Sequence, residues 1–377
     1  MTSTMNDTRR WWSIVGVLVG LELRQRLRTT RWKVTLAIAF AAVSLIVFGS
    51  MYVSMSPGSA DYRDWAQNLY AIVMAVELFL GIVLAPTLSA TAINGDRKDA
   101  TLAVVQATPI SNWQLTIGKL IGNWVSCLAL VAVASPYLVW GIIEAPYGIG
   151  RGVLGALVLC LLFACFCGIG LGFSALTARP AGSAVLTQAT VFFLILGLPA
   201  VFGLLYSTTA QDHRVAGTEY TASANPSDYP TCRDVEKVET FYHTERTWWL
   251  LAPNPFLVLP DVVATNDFPS MGSSFAGSTN TDPTVVSSIA QLLSSARTGP
   301  YVAAPTCADQ RSSYSTDPAP REQSFYRQQE AHERGRIGDS WYLGLLANIV
   351  FGGIGVTIAA RRLRVPAGKL PKGVRIA

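Results

Sequence analysis

Three histidines, six cysteines, two Gly-Lys pairs and one glutamate deep in an apolar run are the residues here that could carry metal, redox, nucleotide or proton chemistry. His213, His243 and His332 stand in no HExxH or other metal-ligand spacing, and they read as surface residues. Gly118-Lys119 is followed by Leu120 and Gly368-Lys369 by Leu370, so neither belongs to the GxxxxGK[ST] loop that cradles nucleotide phosphates. Cys127, Cys160, Cys165 and Cys167 fall in apolar runs, where a thiol acts as a small apolar filler, and Cys165-Phe166-Cys167 is not a CxxC pair. The inventory therefore assigns no catalytic, cofactor-binding or metal-binding residue, and the chain is not expected to be an enzyme.

The elements that would position Glu77 and the four cysteines of the apolar runs are membrane spans. The chain has 377 residues, of which 50% are hydrophobic and only 14% charged, and the apolar residues come in blocks. Windows of about 20 apolar residues, enough to cross a hydrocarbon core of about 30 Å, occur at 34–55, 66–93, 120–143, 152–177, 183–206 and 340–360. The expected fold is an all-α polytopic membrane protein with six transmembrane helices, an N-terminal amphipathic helix, and a mixed extracytoplasmic insertion between spans 5 and 6. The first apolar stretch, Trp11 to Leu23, is too short to span. Glu22, Arg24, Arg26 and Arg28 follow where a signal peptide would carry a cleavage site, so an interfacial amphipathic helix is expected.

Basic residues set the orientation, because Lys and Arg beside a span resist translocation. Segments 1–33, 94–119, 178–182 and 361–377 hold seventeen basic against four acidic residues, whereas segment 208–339 holds ten basic against sixteen acidic. This places the N-terminus (1–33), spans 1 to 5 (34–207) with their loop 94–119, and the basic tail (361–377) in a plasma-membrane, multi-pass arrangement with both termini cytoplasmic. Residues 208–339 form an extracytoplasmic domain, and span 6 occupies 340–360. The net charge of +5 thus reflects topology, with no basis for nucleic-acid binding. The same sidedness puts Cys232 and Cys307, the two cysteines of the external segment, where disulfides persist, and two cysteines allow one intramolecular pairing; a Cys232–Cys307 bridge is expected.

The external segment carries two apolar islands. One, Trp248 to Pro260, is too short and Pro-broken to cross and reads as a re-entrant or interface-lying element. The other follows Asp282-Pro283, a helix-start signal, with Val285, Ile289, Leu292, Leu293 and Ala296 on the expected apolar face and Ser287, Ser288, Gln291, Ser294 and Ser295 opposite. Stretches 273–281 and 312–320 read as mobile loops. Glu77 lies about eleven residues into span 2, where an ionised carboxylate costs roughly 2.5–3.5 kcal/mol. It reads either as a carboxylate lining a translocation path or as a protonated acid in an interhelical hydrogen bond.

The loop between spans 2 and 3 holds a charged turn, Asp96-Arg97-Lys98-Asp99, and then an apolar run from Leu102 to Ala107 that Thr108-Pro109 terminates. Ser111 then can cap a helix climbing into span 3. A short apolar helix on the cytoplasmic side wants a protein partner.

This loop resembles the coupling-helix region of type-2 ABC exporter permeases at Asp96, Arg97, Thr101, Leu102, Thr108, Pro109, Ile110, Ser111, Gly118 and Lys119. It departs at Ala100, where that family often has Gly, and at Ala103, where it often has Glu. Glu22, Arg24 and Arg28 resemble the family's elbow helix. The resemblance implies a six-span permease that takes its energy from separate cytoplasmic ABC ATPase subunits, which bind the ATP while this chain binds no cofactor. It also implies a second permease copy or paralogue and a membrane-lipid setting. The substrate class (drug, lipid, peptide or polysaccharide) stays open. The other reading is a membrane-anchored interaction or sensory protein whose extracytoplasmic domain is the working part.

Overall fold

The computed structural model describes residues 2–56, 61–98, 110–221, 231–265, 284–309 and 325–363. The chain is mostly helical, and it divides into two compact units, Met1–Leu196 with Tyr342–Ala377, and Gly197–Trp341.

In the first unit, helix α1 (Thr2–Leu27) precedes α2 (Thr30–Ser54), α3 (Tyr62–Ala90) and the short α4 (Asn94–Lys98). Then come α5 (Asn112–Glu144), α6 (Ile149–Leu176) and α7 (Pro180–Phe192), and α12 (Trp341–Arg362) closes the described chain. Among the described residues, six helical segments are long and apolar enough to cross a membrane: Thr30–Ser54, Tyr62–Lys98, Asn112–Glu144, Ile149–Leu176, Pro180–Thr209 and Trp341–Arg362. They coincide with the six apolar windows of the sequence. The N-terminal helix is longer than expected, because Trp11 to Leu23 continues in both directions without a Pro or Gly break that would stop it. α3 packs along α5 and α6, while α1 lies against α5.

Two local features follow from single residues. Ser111 caps α5 through a reciprocal box, in which the Gln114 N–H donates to Ser111 Oγ at 3.2 Å and the Ser111 N–H donates to Gln114 Oε1 at 2.8 Å. The fifth span is interrupted by a π-helical turn, Phe193–Gly197, ahead of α8 (Leu198–Tyr206). Pro199 has no N–H to give, and its ring would strike the carbonyl four residues back, so the helix widens there.

Small residues let two helices of this unit meet backbone to backbone. Gly168 and Gly172 of α6 face Gly352 and Gly355 of α12 so closely that a Cβ on Gly168 would come within 2.6 Å of the Gly352 carbonyl oxygen. This is the close approach by which helices associate where lipid, not water, is the competing environment.

The second unit mixes strands with helices. Strands β1 (Ala210–Thr221) and β2 (Thr231–Tyr242) form an antiparallel hairpin running from Ala210 opposite Tyr242 to Thr221 opposite Thr231. Helices α9 (Pro255–Val263), α10 (Val285–Thr298) and α11 (Phe325–Arg334) follow. The Trp248 island is a 3-10 turn, Trp248–Leu250, leading into α9, and it buries Leu250, Leu251, Val258 and Leu259 within this unit. Thr284, not Asp282, caps α10 by accepting the Ser287 N–H at 3.2 Å; Asp282 and Pro283 lie outside the described residues, as do the stretches 273–281 and 312–320.

The expected apolar face of α10 is rotated. Val286, Ser287, Ala290, Leu293 and Ser294 are buried, whereas Val285 and Leu292 are exposed. The serines go inward because each finds a hydrogen bond there: the Arg336 N–H donates to Ser294 Oγ at 3.0 Å, and Ser287 Oγ donates to the Thr284 carbonyl at 2.8 Å. Asp261 of α9, fully buried, accepts the Gly338 and Ser340 N–H groups at 2.8 Å each. Cys232 and Cys307 meet at disulfide distance with Cα atoms 5.8 Å apart, and the Cys307 N–H donates to Asp234 Oδ1 at 2.7 Å beside them.

Candidate functional site

α5 begins with two interleaved pairs spaced one helical turn apart, Gly118 with Gly122 and Lys119 with Asn123. The glycines admit α1: a Cβ on Gly118 would lie 2.8 Å from Leu18 Cβ, and one on Gly122 would lie 2.8 Å from Glu22 Cβ. Because α1 sits this close, Glu22 reaches Lys119, and Nζ to Oε1 is 2.8 Å. From the other side Asp96, on the short α4, brings Oδ2 to 2.5 Å from the same Nζ.

The Lys119 side chain is only 5% exposed. A buried ammonium is costly unless its donors are matched, and here the Glu22 and Asp96 carboxylates do the matching. One turn further, Arg26 of α1 donates to Asn123 Oδ1, and the Asn123 amide donates back to the Lys119 carbonyl at 2.8 Å. Helices α1, α4 and α5 are thereby joined by charge at one point.

A second set of contacts fastens α4 to the α6–α7 turn. The backbone N–H groups of Ile93 and Asn94 donate to Ser174 Oγ at 3.0 and 3.2 Å. The Asn94 amide donates to Thr177 Oγ1 and Ser183 Oγ at 3.1 and 3.2 Å, and Ser183 Oγ donates to the Ala90 carbonyl at 2.6 Å. Arg97 Nη1 reaches the Ala175 carbonyl at 3.5 Å. Beneath this layer Ile110, Leu18 and Leu120 pack on a core of Ile93, Leu115, Leu171, Ala175, Ala359 and Leu363.

Of the residues singled out in the loop, Asp96, Arg97, Ile110 and Ser111 thus come together at the foot of the first unit, while Thr101, Leu102, Thr108 and Pro109 lie outside the described residues. Of the elbow trio, Glu22 turns into the site, but Arg24 and Arg28 are exposed. Arg26, not singled out, is the arginine that engages α5. Lys119 and Asn94 carry more of the geometry than the sequence implied, since only their tertiary partners reveal it. Glu77 is 1% exposed on α3 and its Oε2 has no hydrogen-bond partner among the described residues. Cys127 and Cys167 bring their sulfurs to 3.8 Å, fully buried.

Among the described residues no three His, Cys, Asp or Glu side chains converge to hold a metal. The contacts of the site link α4, through Asp96 and Lys119, to α5 and α1.

The family model of the ABC-2 family transporter protein matches residues 17–244, more than half of the chain and inclusive of this whole site except Ala359 and Leu363. The chain belongs to that family, whose members are multi-pass membrane components of transporters. No curated protein matches it significantly.

Proposed function

We propose that the chain is the membrane-spanning permease of an ATP-driven exporter, and that a separate cytoplasmic ATPase, which binds the ATP, docks on loop 94–119. The carrying observation is Lys119, which in a chain of the ABC-2 family links the start of that loop, through Asp96, to α1 and α5. Nucleotide-driven movement of the ATPase would push the loop, and the Lys119 contacts would convert the push into a rigid-body shift of the helices. In this reading two permeases, identical or paralogous, face each other across the path, the termini are cytoplasmic, and residues 208–339 are extracytoplasmic. The cargo is a drug, lipid, peptide or polysaccharide.

The test is copurification in detergent followed by reconstitution. An ATPase should accompany the chain, and replacing Leu102 by Asp should abolish transport-linked ATP hydrolysis while membrane insertion persists, because the substitution places a charge in the docking contact. Full coupling in Leu102→Asp would overturn the docking site. An external ligand captured without any ATPase would favour the interaction-protein reading, to which the compact second unit lends support.

A further inference from the structure

His213 and His243, far apart in any metal-ligand motif, are brought together by the hairpin. His213 is the fourth residue of β1, and His243 follows the last residue of β2 directly. The His243 N–H donates to the Thr209 carbonyl at 3.0 Å, which closes the base of the hairpin. The two rings then point their Nε2 atoms at each other, 2.9 Å apart. Behind His243, Glu245 Oε1 lies 2.6 Å from Nδ1.

A carboxylate only accepts, so Nδ1 of His243 carries the proton, and in the neutral ring Nε2 presents its lone pair toward His213. That pair of nitrogens shares a single proton. Such a carboxylate–histidine alignment is the one that orients imidazole toward a metal and raises its basicity. Glu239 stands directly across the ladder from His213.

We propose that His213 and His243 are the two protein ligands of a divalent transition-metal site of the zinc–copper–nickel class, with Glu245 holding the His243 ring. Metal–nitrogen bonds of about 2.0–2.1 Å at a tetrahedral angle need the two Nε2 atoms about 3.3–3.4 Å apart, so the rings open by less than an ångström as the shared proton leaves to solvent. Water or an exogenous donor supplies the remaining ligands. An all-nitrogen protein set excludes magnesium and calcium, which take oxygen.

The experiment is isothermal titration of zinc chloride into untagged, chelator-stripped full-length protein in detergent near neutral pH, with magnesium chloride as the comparison. One zinc equivalent should bind and magnesium should not. His213→Ala and His243→Ala should each remove the zinc heat, Glu245→Gln should weaken binding by about 10–100-fold, and His332→Ala should bind as the wild type does. Wild-type affinity in His213→Ala or His243→Ala, or no heat in the wild type, overturns the site. Should either alanine variant misfold, copper(II) electron paramagnetic resonance on the wild type decides: hyperfine coupling to two imidazole nitrogens supports the assignment, and coupling to fewer than two overturns it.

Discussion

Lys119 Nζ lies 2.8 Å from Glu22 Oε1 although the residues are 97 positions apart, and the approach depends on glycines, Gly118 and Gly122, where any side chain would push α1 away. Replacing Lys119 with Met keeps the length and removes the charge. Two hydrogen bonds to carboxylates disappear, each worth about 1.5–3 kcal/mol in a well-matched setting and less here because Glu22 and Asp96 are partly exposed. The variant should insert and fold with a lowered melting temperature, and transport-linked ATP hydrolysis in reconstituted vesicles should fall severalfold. Unchanged coupling would show that the loop does not act through this lysine.

The glycine contact between α6 and α12 makes a sharper prediction. Gly168→Ala places a methyl group 2.6 Å from the Gly352 carbonyl oxygen, a distance at which backbone must move. Gly182→Ala places the same methyl in open space. The first should lower thermal stability in detergent by about 1–3 kcal/mol, and the second should leave it within about 0.5 kcal/mol. Equal melting temperatures would mean that α12 does not seat on α6.

How much of this was legible follows from what each feature depends on. Spans are set by length and hydropathy, both local, so all six were readable, as was the Ser111 cap from its place after Thr108-Pro109. The hairpin was not. Its strands are rich in Asp, Glu, Lys and Arg, and although burial alternates along β1 from Ala210 to Gly217, the less exposed positions there are Gln211, His213, Val215 and Gly217, so hydropathy gives no period-two signal. The face of α10 was misjudged because hydrophobic spacing assumes that serine faces out, whereas Ser287 and Ser294 have partners inside. Lys119, Arg26 and the His213–His243 pair depend on contacts between distant segments, which no window along one chain contains.

Cys232 and Cys307 close a loop of 75 residue steps that takes in β2, α9 and α10 of the second unit. In the chain-entropy model such a bridge contributes roughly 4.5 kcal/mol. Non-reducing peptide mapping should recover the joined pair, and Cys232→Ser should make this unit protease-sensitive under conditions where the wild type resists. Free alkylation of both thiols in unreduced protein would exclude the bridge and count against an extracytoplasmic location.

Glu77 offers two outcomes that a single substitution separates. Glu77→Gln keeps the shape but removes the ionisable carboxyl, whose Oε2 finds no hydrogen bond among the described residues. If the carboxylate meets cargo, the substitution should change the range of substrates that stimulate ATP hydrolysis, most for cationic ones. If it is a protonated acid in an interhelical hydrogen bond, transport should match the wild type for every substrate tested.

Two aspartates of the second unit should give pH responses of opposite sign. For Asp309, burial lifts the pKa, but hydrogen bonds from the Thr306 hydroxyl and N–H and from the Phe325 N–H outweigh it and hold the carboxyl below its ordinary value. Its contribution to stability is therefore present above the unfolded value of about 3.9 and is lost as pH falls through the folded one. For Asp261, burial is the largest influence and keeps the pKa raised, despite the Gly338, Ser340 and Trp341 N–H groups and the nearby Arg297. Its contribution is present below about 3.9 and fades as pH rises through the folded value. Unfolding followed by tryptophan fluorescence should thus show the advantage of wild type over Asp309→Asn shrinking on acidification. The advantage over Asp261→Asn should grow over the same change. Parallel slopes for the two variants would mean that the hydrogen bonds at Asp309 do not outweigh its burial, or that those at Asp261 do.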